Sequence, residues 1–485
     1  MDFTVSCPNV WRLFEEICSI PHPSGYEEKL GAWVVQQAKA NGLKARRDKV
    51  GNIRIDRPAA PGFEKAPLTV MQAHLDMVPQ LEEGETFDFL RDPIVLKEEN
   101  GWVRAAKRTT LGSDDGIGVA AALAILFDKS LQCGPLAAVF TVEEETGLTG
   151  AAALSEEFLK GDFLLNLDSE EEGIFYVGCA GGARLEMTFA PGGECSPGHL
   201  QGVQIAVRGL AGGHSGCNIA DRRGNAVLFL CRFLAGHPEV RIADVSGGNL
   251  DNVIPREAFA TGRCPDIALL QDAATRFQES LKEEFDAPAE FEVAVTPCEE
   301  PYYIWEEEPQ KKILDCLSTL PNGVISFDED FNAVRTSSNL AAWSVRYGFL
   351  HVRTSQRSLV NQEREELTAD LAARCAAAGG KSSIGSVYSG WTPMAGSPVA
   401  AFSKEVYCEL FGREPEIKVI HAGLECGILR EKSPRLDMIS FGPTLTDPHS
   451  PAEKLEIASV PRFYAFLQAL LVKIAKKNGD LTNCI

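Results

Sequence analysis

Three short apolar runs, each continued by acidic or imidazole side chains, constrain the fold of this chain most. The runs cover residues 68–73, 136–142 and 163–167, and a helical pattern over 117–127 separates the first two. Strands and helices that alternate in this way predict an α/β domain with helices packed on a central sheet. Open α/β sheets place their functional sites beyond the carboxyl ends of their strands. We therefore expect the polar residues that follow the runs to meet at one edge of the sheet.

Several of these polar residues are of the kinds that bind divalent metal ions. The candidates His74, Asp114, Glu145, Asp168 and His449 offer two imidazoles and three carboxylates. Hydrolytic sites with two metal ions use such a set, and one carboxylate bridges ions that lie about 3.5–4 Å apart. Asp114 is the best candidate for the bridge, because the small residues around it let the backbone approach the metals closely. The pattern predicts a dinuclear metallohydrolase.

Two further carboxylates suit supporting roles in such a site. Glu144 precedes Glu145 at the end of a predicted strand, so the two side chains should point to opposite sides. One of them can then bind metal while the other takes a proton from the attacking water. Asp76 follows His74 closely and is expected to fix the tautomer of that imidazole. A single Asp or a Glu-Glu pair is more often a solvated turn, and it is their joint occurrence that favours a catalytic site.

Composition and charge predict a soluble protein of the cytoplasm. The 485 residues include 47 Lys and Arg and 68 Asp and Glu, for a net charge of −21, which argues against nucleic acids and anionic membranes as partners. No apolar run reaches the roughly 20 residues of a membrane span, and the first residues lack the pattern of a signal peptide. The 14 cysteines form no C-x-x-C pair, so free thiols in a reducing compartment are the simplest explanation.

We expect two domains, one of which interrupts the other. A Gly/Pro-rich stretch over 191–198 interrupts the α/β pattern of predicted strands and helices, and that pattern returns after Gly390. His449 and His74 are candidate ligands of the same metal site, so the first and last segments should form one domain. The inserted part should contain two stacked α+β halves, because its order of strands and helices occurs twice. The predicted boundaries are 1–185 and 391–485 for the first domain and 186–390 for the inserted domain.

Seven segments of the chain carry motifs long enough to be specific. They are AHLDMVP at 73–79, TLGSD at 110–114, EE at 144–145, DSEEEG at 168–173, GGHSG at 212–216, HAGLECG at 421–427, and GPT at 442–444 followed by HSP at 449–451. These segments resemble the aminoacyl-histidine dipeptidases, the carnosinase-type cytosolic Xaa-His dipeptidases of the M20 metallopeptidase family. The resemblance implies a zinc-peptidase-like catalytic domain, with a mixed sheet flanked by helices, that is interrupted by an α+β lid domain.

The resemblance also implies how the metal ions are held. By it, His74 and Asp168 hold one ion, Glu145 and His449 hold the other, and Asp114 bridges the two. Zinc is the expected metal, and manganese and cobalt accept the same ligands. A hydroxide that bridges the two ions would then attack the peptide carbonyl.

The same resemblance assigns the catalytic carboxylates and one unusual peptide bond. It makes Glu144 the general base and Asp76 the partner of a metal-binding histidine. It further implies that the peptide bond between Asp114 and Asp115 is cis, which is rare where no proline follows.

Five residues are expected to contact the substrate. By resemblance, His214 is a catalytic residue that stabilises the oxyanion, Arg357 binds the substrate's free carboxylate, and Asn252 contacts substrate. We expect His421 and Glu425 to line the pocket, with Glu425 at the free amino group. The alternatives are a helix-start histidine for His214 and ordinary surface residues for Asn252 and Arg357.

The expected activity is the hydrolysis of dipeptides, of the Xaa-His class or of a broader range. The enzymatic alternative is an N-acyl amino acid deacylase or aminoacylase of the same family, and the alternative from another class is a non-catalytic metal-binding scaffold. Arg335 stands where the related enzymes carry an acidic residue, which leaves the preference for histidine open. The expected partner is a small peptide, and the protein is either a monomer with His214 acting in cis or a homodimer.

Overall fold

The computed structural model describes residues 6–476, so the predicted domain ends at 1–5 and 477–485 lie outside the described residues. The chain forms two compact units. The first unit comprises Met1–Gly178, Trp391–Val419 and Glu425–Ile485, and the second comprises Cys179–Gly390 and Ile420–Leu424.

Helices account for much of both units. Over the described residues they are α1 (Pro8–Cys18), α2 (Glu28–Ala40), α3 (Ser113–Phe127), α4 (Thr149–Ala153), α5 (Glu156–Leu159), α6 (Ala226–Ala235), α7 (Ile267–Leu281), α8 (Glu307–Ser318), α9 (Asn361–Ala377), α10 (Pro398–Phe411), α11 (Glu425–Lys432) and α12 (Ser459–Lys476).

The strands of the first unit come from both ends of the chain, and those of the second unit come from its middle. Over the described residues the strands are β1 (Lys44–Arg47), β2 (Ile53–Arg57), β3 (Thr69–His74), β4 (Leu96–Glu99), β5 (Trp102–Ala105), β6 (Leu136–Thr141), β7 (Phe163–Asn166), β8 (Ile174–Cys179), β9 (Gly181–Phe189), β10 (Glu194–Cys195), β11 (Gln201–Arg208), β12 (Gly213–His214), β13 (Arg241–Gly247), β14 (Val253–Ile254), β15 (Ala258–Cys264), β16 (Glu292–Pro297), β17 (Tyr303–Ile304), β18 (Gly323–Asp328), β19 (Ala333–Arg346), β20 (Phe349–Ser358), β21 (Lys381–Tyr388), β22 (Glu416–Ile420), β23 (Asp437–Ser440), β24 (Leu445–Thr446) and β25 (Lys454–Glu456).

A mixed eight-stranded sheet organises the first unit. Its strand order is β1-β2-β6-β3-β7-β23-β8-β22. Strand β3 runs parallel to β6 and β7, and β7 runs parallel to β23, whereas β2 and β6 are antiparallel. Helix α3 packs on β3 and β6, and α10 packs on β23. This arrangement confirms the predicted α/β class, a mixed sheet flanked by helices.

Amphipathic helices close the first unit at both ends of the chain. The apolar positions of α1 recur at helical spacing, and Val10, Leu13, Phe14 and Ile17 are all buried. In α12 the side chain of Leu467 is buried in the same way. Among the described helices, none combines enough length with enough hydropathy to cross a membrane.

An antiparallel sheet organises the second unit. Its strand order is β16-β11-β15-β13-β19-β20-β9-β21, and β18 pairs with β19. Helix α7 packs on β16, α6 packs on β11, β15 and β19, and α9 packs on β20, β9 and β21. The first four and the last four strands of this order meet where β13 pairs with β19, through Ser246 with Ser344 and Gly247 with Trp343. Two α+β halves therefore lie side by side in one sheet.

The chain passes from the first unit to the second after Gly178, which is earlier in the sequence than the predicted boundary after residue 185. Strand β9 pairs with β20 and β21 along its length, so the chain has already entered the second sheet at Gly181. The Gly/Pro-rich stretch over 191–198 follows this strand instead of preceding it. A second difference is that Ile420–Leu424, which was expected in the first domain, belongs to the second unit.

Candidate metal and catalytic site

The carboxyl ends of three parallel strands bring the predicted ligands of the first unit together. Strands β3, β6 and β7 are fully buried, and they lead into the segments that carry His74, Glu145 and Asp168. Asp114 lies in the first turn of α3, and His449 lies in the loop after β24. Parallel strands end at the same edge of a sheet, so these segments converge there.

All five predicted ligands are neighbours, and Asp114 lies between the two imidazoles. Its Oδ1 is 3.0 Å from Nε2 of His74, and its Oδ2 is 3.2 Å from Nε2 of His449. Asp168 Oδ1 lies 3.5 Å from Nε2 of His74, and Glu145 Oε1 lies 2.9 Å from Nε2 of His449. Ligand atoms of His74, Asp114 and Glu145 all lie within 4.8 Å of one another.

The chemistry of this donor set fits divalent cations. Nδ1 of His74 lies 2.9 Å from the carbonyl oxygen of Asp76, so Nδ1 carries the proton of the neutral ring and Nε2 presents a lone pair. That lone pair faces carboxylate oxygens of Asp114 and Asp168. Lone pairs that face one another repel unless a proton or a cation lies between them. His74, Asp114 and Asp168 can therefore share a metal ion.

The pKa values of these side chains reflect the same crowding of charge. Burial raises the pKa of Asp168 to about 7, although His74 acts against this shift. Burial also acts to raise the pKa of Asp114, but His449 and His74 lower it well below its usual range. Hydrogen bonds with Asp114 and Glu145 raise the pKa of His449 to about 11. Without cations, the imidazoles act as the counterions of the carboxylates.

Asp76 anchors the segment that carries the two neighbouring glutamates. Its Oδ1 accepts the backbone N–H of Glu144 at 2.9 Å, and its Oδ2 accepts that of Glu145 at 3.2 Å. The hydroxyl of Ser24 donates to Oδ2 at 2.8 Å. The same carboxylate lies 3.6 Å from Nδ1 of His74, so the carbonyl oxygen of Asp76, not its side chain, makes the shorter contact with the ring.

Glu144 has the properties of a proton acceptor close to the ligands. Burial raises the pKa of its carboxyl well above the usual range, and the charges of Asp168, Glu425 and Glu145 add to the rise. A general base works best when its pKa approaches the working pH.

The Asp114–Asp115 peptide bond is cis, as the resemblance implies.

Glu425 is the first residue of α11, and its side chain contacts two strands of the sheet. The side chain is 0% exposed, and its Oε2 accepts hydrogen bonds from Gln72 Nε2 at 2.5 Å and from Thr141 Oγ1 at 2.7 Å. Its Oε1 is buried with no hydrogen-bond partner among the described residues. The expectation that this carboxylate lies at the substrate's amino group stays a prediction. Both of the groups that donate to its Oε2 belong to β3 and β6.

The second unit brings together the other predicted residues, beginning with His214. Nδ1 of His214 accepts the backbone N–H of Gly216 at 3.2 Å and of Cys217 at 3.1 Å. Two donors on Nδ1 place the ring proton on Nε2. Burial lowers the pKa of His214 to about 4, and the charge of Arg357 contributes. His214 is therefore a neutral imidazole whose Nε2–H is available as a donor.

Strand pairing places Asn252 next to this histidine. Strands β12 and β14 pair His214 with Val253, and the carbonyl oxygen of Asn252 accepts the backbone N–H of Ser215 at 2.8 Å. Asn252 itself is exposed.

Arg357 and His421 lie in the same unit and are both buried. Arg357 is 6% exposed and donates from Nη1 to the hydroxyl of Tyr388 at 2.8 Å. Its Nε is buried with no hydrogen-bond partner among the described residues. Nε2 of His421 lies 2.7 Å from Oγ of Ser337. Burial, followed by the charge of Arg357, lowers the pKa of His421 to about 3.

Arg335 is held by acidic partners in the second unit. Its Nη2 lies 2.7 Å from Oε1 of Glu363, and its Nη1 lies 3.5 Å from Oδ2 of Asp328. The two carboxylates compensate the positive charge of Arg335.

Glu453 was missed at the level of sequence. Its carboxylate is buried and accepts backbone N–H groups from the segment that leads into Asp114. The available signal was weak: a glutamate shortly after His449, and a run of small residues at the start of a predicted helix, where backbone N–H groups attract anions.

Comparisons with known proteins agree with this geometry. Residues 70–473 match the model of Peptidase family M20/M25/M40. The cytosol non-specific dipeptidase of Escherichia coli K12 is 40% identical over 475 residues, which cover 96% of this chain and 98% of that protein. The crystal structure of aminoacylhistidine dipeptidase from Vibrio alginolyticus superposes with a TM-score of 0.91 at 39% identity, covering 97% of this chain and 98% of that one.

A more distant structure shares the fold alone. Aminopeptidase PepT from Bacillus cereus superposes with a TM-score of 0.57 at 16% identity, over 97% of this chain and 99% of that one. The resemblance seen in the motifs is thus confirmed by a match over most of the chain. The chain belongs to Peptidase family M20/M25/M40 and is a peptide hydrolase.

Proposed function

We propose that this protein hydrolyses dipeptides with a free amino group in the cytosol, and that Xaa-His dipeptides are among its substrates. The observation that carries the proposal is the position of Asp114, with one carboxylate oxygen facing each imidazole. The names of the similar proteins support the substrate class and the compartment, since one is a cytosol non-specific dipeptidase and another an aminoacylhistidine dipeptidase.

The first unit would hold two divalent metal ions. His74 and Asp168 would bind one ion, Glu145 and His449 would bind the other, and Asp114 would be shared by both. Zinc is our first choice, and manganese and cobalt suit the same imidazole and carboxylate ligands. When bound, such ions polarise the peptide carbonyl and lower the pKa of a water molecule.

Glu144 would move the proton in this reaction. Its raised pKa suits a carboxylate that accepts a proton from the attacking water and then delivers it to the leaving amine. The hydrogen bond from its backbone N–H to Asp76 would hold the base in place, and that of Glu145 would hold the neighbouring ligand.

Residues of the second unit would bind the substrate. His214 would donate its Nε2–H to the oxyanion, because its neutral ring is fixed in that tautomer. Arg357 would bind the substrate's carboxylate, since its buried Nε lacks a partner and a guanidinium suits a planar anion. Asn252 and His421 would contact the substrate beside them.

The test is cleavage of β-Ala-His, Gly-His and Gly-Leu beside an N-acetylated dipeptide, with purified protein, with chelator, and with chelator followed by Zn²⁺ or Mn²⁺. We expect metal-dependent cleavage of the free-amine dipeptides, and their relative rates would show whether histidine is preferred. Cleavage of the N-acetylated substrate alone would assign the protein to the deacylases. No metal-dependent cleavage of any substrate would contradict the proposal.

A mixing experiment tests whether one chain supplies all of these residues. We propose a monomer in which His214 acts in cis, with a homodimer that shares its sites as the alternative. A mixture of His214→Ala protein and Glu144→Ala protein should then remain inactive. Recovery of activity in the mixture would show that a homodimer shares its sites.

A further inference from the structure

The carboxylate of Glu453 accepts an unusual number of hydrogen bonds from one short segment. Its Oε2 accepts the backbone N–H of Leu111 at 2.7 Å and of Gly112 at 3.1 Å. Its Oε1 accepts the backbone N–H of Ser113 at 2.8 Å, the hydroxyl of Ser113 at 2.6 Å, and the backbone N–H of Asp114 at 3.4 Å. Glu453 thus holds each residue from Leu111 to the central aspartate of the site.

Among the described residues, Glu453 is the hydrogen-bond acceptor of these four backbone N–H groups. Helix α3 begins at Ser113, but Asp114 and Asp115 have non-helical φ and ψ angles, and Gly112 before them has a φ of 72°. The N–H groups of Leu111 and Gly112 precede the helix, and that of Ser113 is at its first residue, where a helix offers no acceptor of its own. Residues 111–113 are buried, so these groups need an acceptor from the protein.

The arrangement requires an ionised carboxylate with two accepting oxygens. All of its partners donate to it, through four N–H groups and one hydroxyl, so both of its oxygens serve as acceptors. An amide at this position would turn an NH₂ group towards N–H donors, so a glutamine cannot reproduce the bonds.

We infer that Glu453 is a positioning residue for metal binding, which holds residues 111–114 so that Asp114 can present one oxygen to each ion. The inference rests on the proposed function of the site. Glu453 lies just beyond His449 in sequence, and Oδ2 of Asp114 lies 3.2 Å from Nε2 of that histidine. One carboxylate therefore links two of the segments that carry ligands, and both ions depend on it.

The test compares metal affinity in variants of Glu453 with that in a matched control. Glu453→Gln should weaken binding of both Co²⁺ ions by about 10- to 100-fold, as is usual for groups that orient ligands. It should also change the visible absorption of the bound Co²⁺ and lower kcat with little effect on KM. Glu453→Asp keeps two accepting oxygens, so its affinity for Co²⁺ should lie between that of Glu453→Gln and that of the wild type.

Asp437 of β23 supplies the control, because its buried carboxylate also accepts hydrogen bonds from the start of a helix, here α10. It accepts the hydroxyl of Ser397 at 2.7 Å and the backbone N–H of Val399 at 2.9 Å. Asp437→Asn should lower the melting temperature and leave Co²⁺ affinity and absorption unchanged.

The outcomes separate the inference from the proposed function. If Glu453→Gln or Glu453→Asp loses stability as Asp437→Asn does but binds Co²⁺ with wild-type affinity and absorption, Glu453 is structural and the inference is wrong. If Glu453→Gln does not fold, a Glu453→Asp protein with wild-type affinity, absorption and kcat would overturn the inference equally. Wild-type protein that binds no Co²⁺ would contradict the proposed function itself.

Discussion

Asp114 and His449 lie 335 positions apart in the chain, yet Oδ2 of the aspartate is 3.2 Å from Nε2 of the histidine. The opposite oxygen of the aspartate faces His74 at 3.0 Å. A single side chain therefore lies between two groups of candidate ligands from distant parts of the sequence, and its two equivalent oxygens make this possible.

The amide variant Asp114→Asn tests this shared role. An amide offers one oxygen and one NH₂ group, so it cannot face both ions with lone pairs. We expect the variant to lose both metal ions, and its activity to fall by at least about 100-fold, since even residues outside the ligand set cost 10- to 100-fold. Metal content by mass spectrometry and dipeptide hydrolysis would be measured beside the exposed-residue control Glu171→Gln. An Asp114→Asn protein with two ions bound would refute the role.

Glu144→Gln should separate proton transfer from metal binding. The variant keeps the size of the side chain and loses the proton acceptor, so kcat should fall by about 10²- to 10⁴-fold. Metal content and KM should stay close to those of the wild type, because Asp76 binds the backbone N–H of this residue and not its side chain. Glu143→Gln is the neighbouring control and should keep normal kcat. Loss of metal in Glu144→Gln would make this glutamate a ligand instead.

His214 should remain neutral throughout the neutral pH range. Burial and the charge of Arg357 lower its pKa to about 4, so protonation would occur only in acid. Nitrogen chemical shifts of the labelled histidines would give both the pKa and the tautomer, and His214→Gln would assign the signals. We expect the proton on Nε2. A titration near the ordinary histidine pKa of about 6.5, or a proton on Nδ1, would count against the role as a neutral donor.

The buried carboxyl of Glu425 should make stability depend on pH. Burial raises its pKa from 4.5 to about 8, so the folded protein keeps this proton at pH values where the unfolded chain has lost it. The stabilisation from this group is complete below pH 4.5 and is lost as the pH rises through about 8.

The variant Glu425→Gln cannot ionise and still offers an acceptor to Gln72 and Thr141. The free energy of unfolding of the variant, relative to that of the wild type, should therefore increase as the pH rises from about 4.5 to about 8. Urea unfolding of the metal-free proteins at several pH values measures the difference, again with Glu171→Gln as the control. A difference that is constant across this range would show that Glu425 does not titrate there.

The chemistry of the metal ligands could be predicted from the sequence because it is local. Strand-length apolar runs that end at His74, before Glu145 and before Asp168 indicate parallel strands, and parallel strands deliver such residues to one edge of a sheet. Imidazole and carboxylate side chains carry their metal preferences wherever they stand. The class of the fold and the candidate ligand set followed from these properties.

Only the tertiary structure decided which distant groups meet and how deeply they are buried. Three features depend on contacts between remote segments: the hydrogen bonds of Glu453 to residues 111–114, those of Glu425 to β3 and β6, and the start of the second sheet at Gly181. A carboxylate has the same chemistry at the surface and in the core, but its pKa, its partners and its role change with burial. Side-chain type and local periodicity can be read from the sequence, whereas contacts between residues hundreds of positions apart form only when the chain folds.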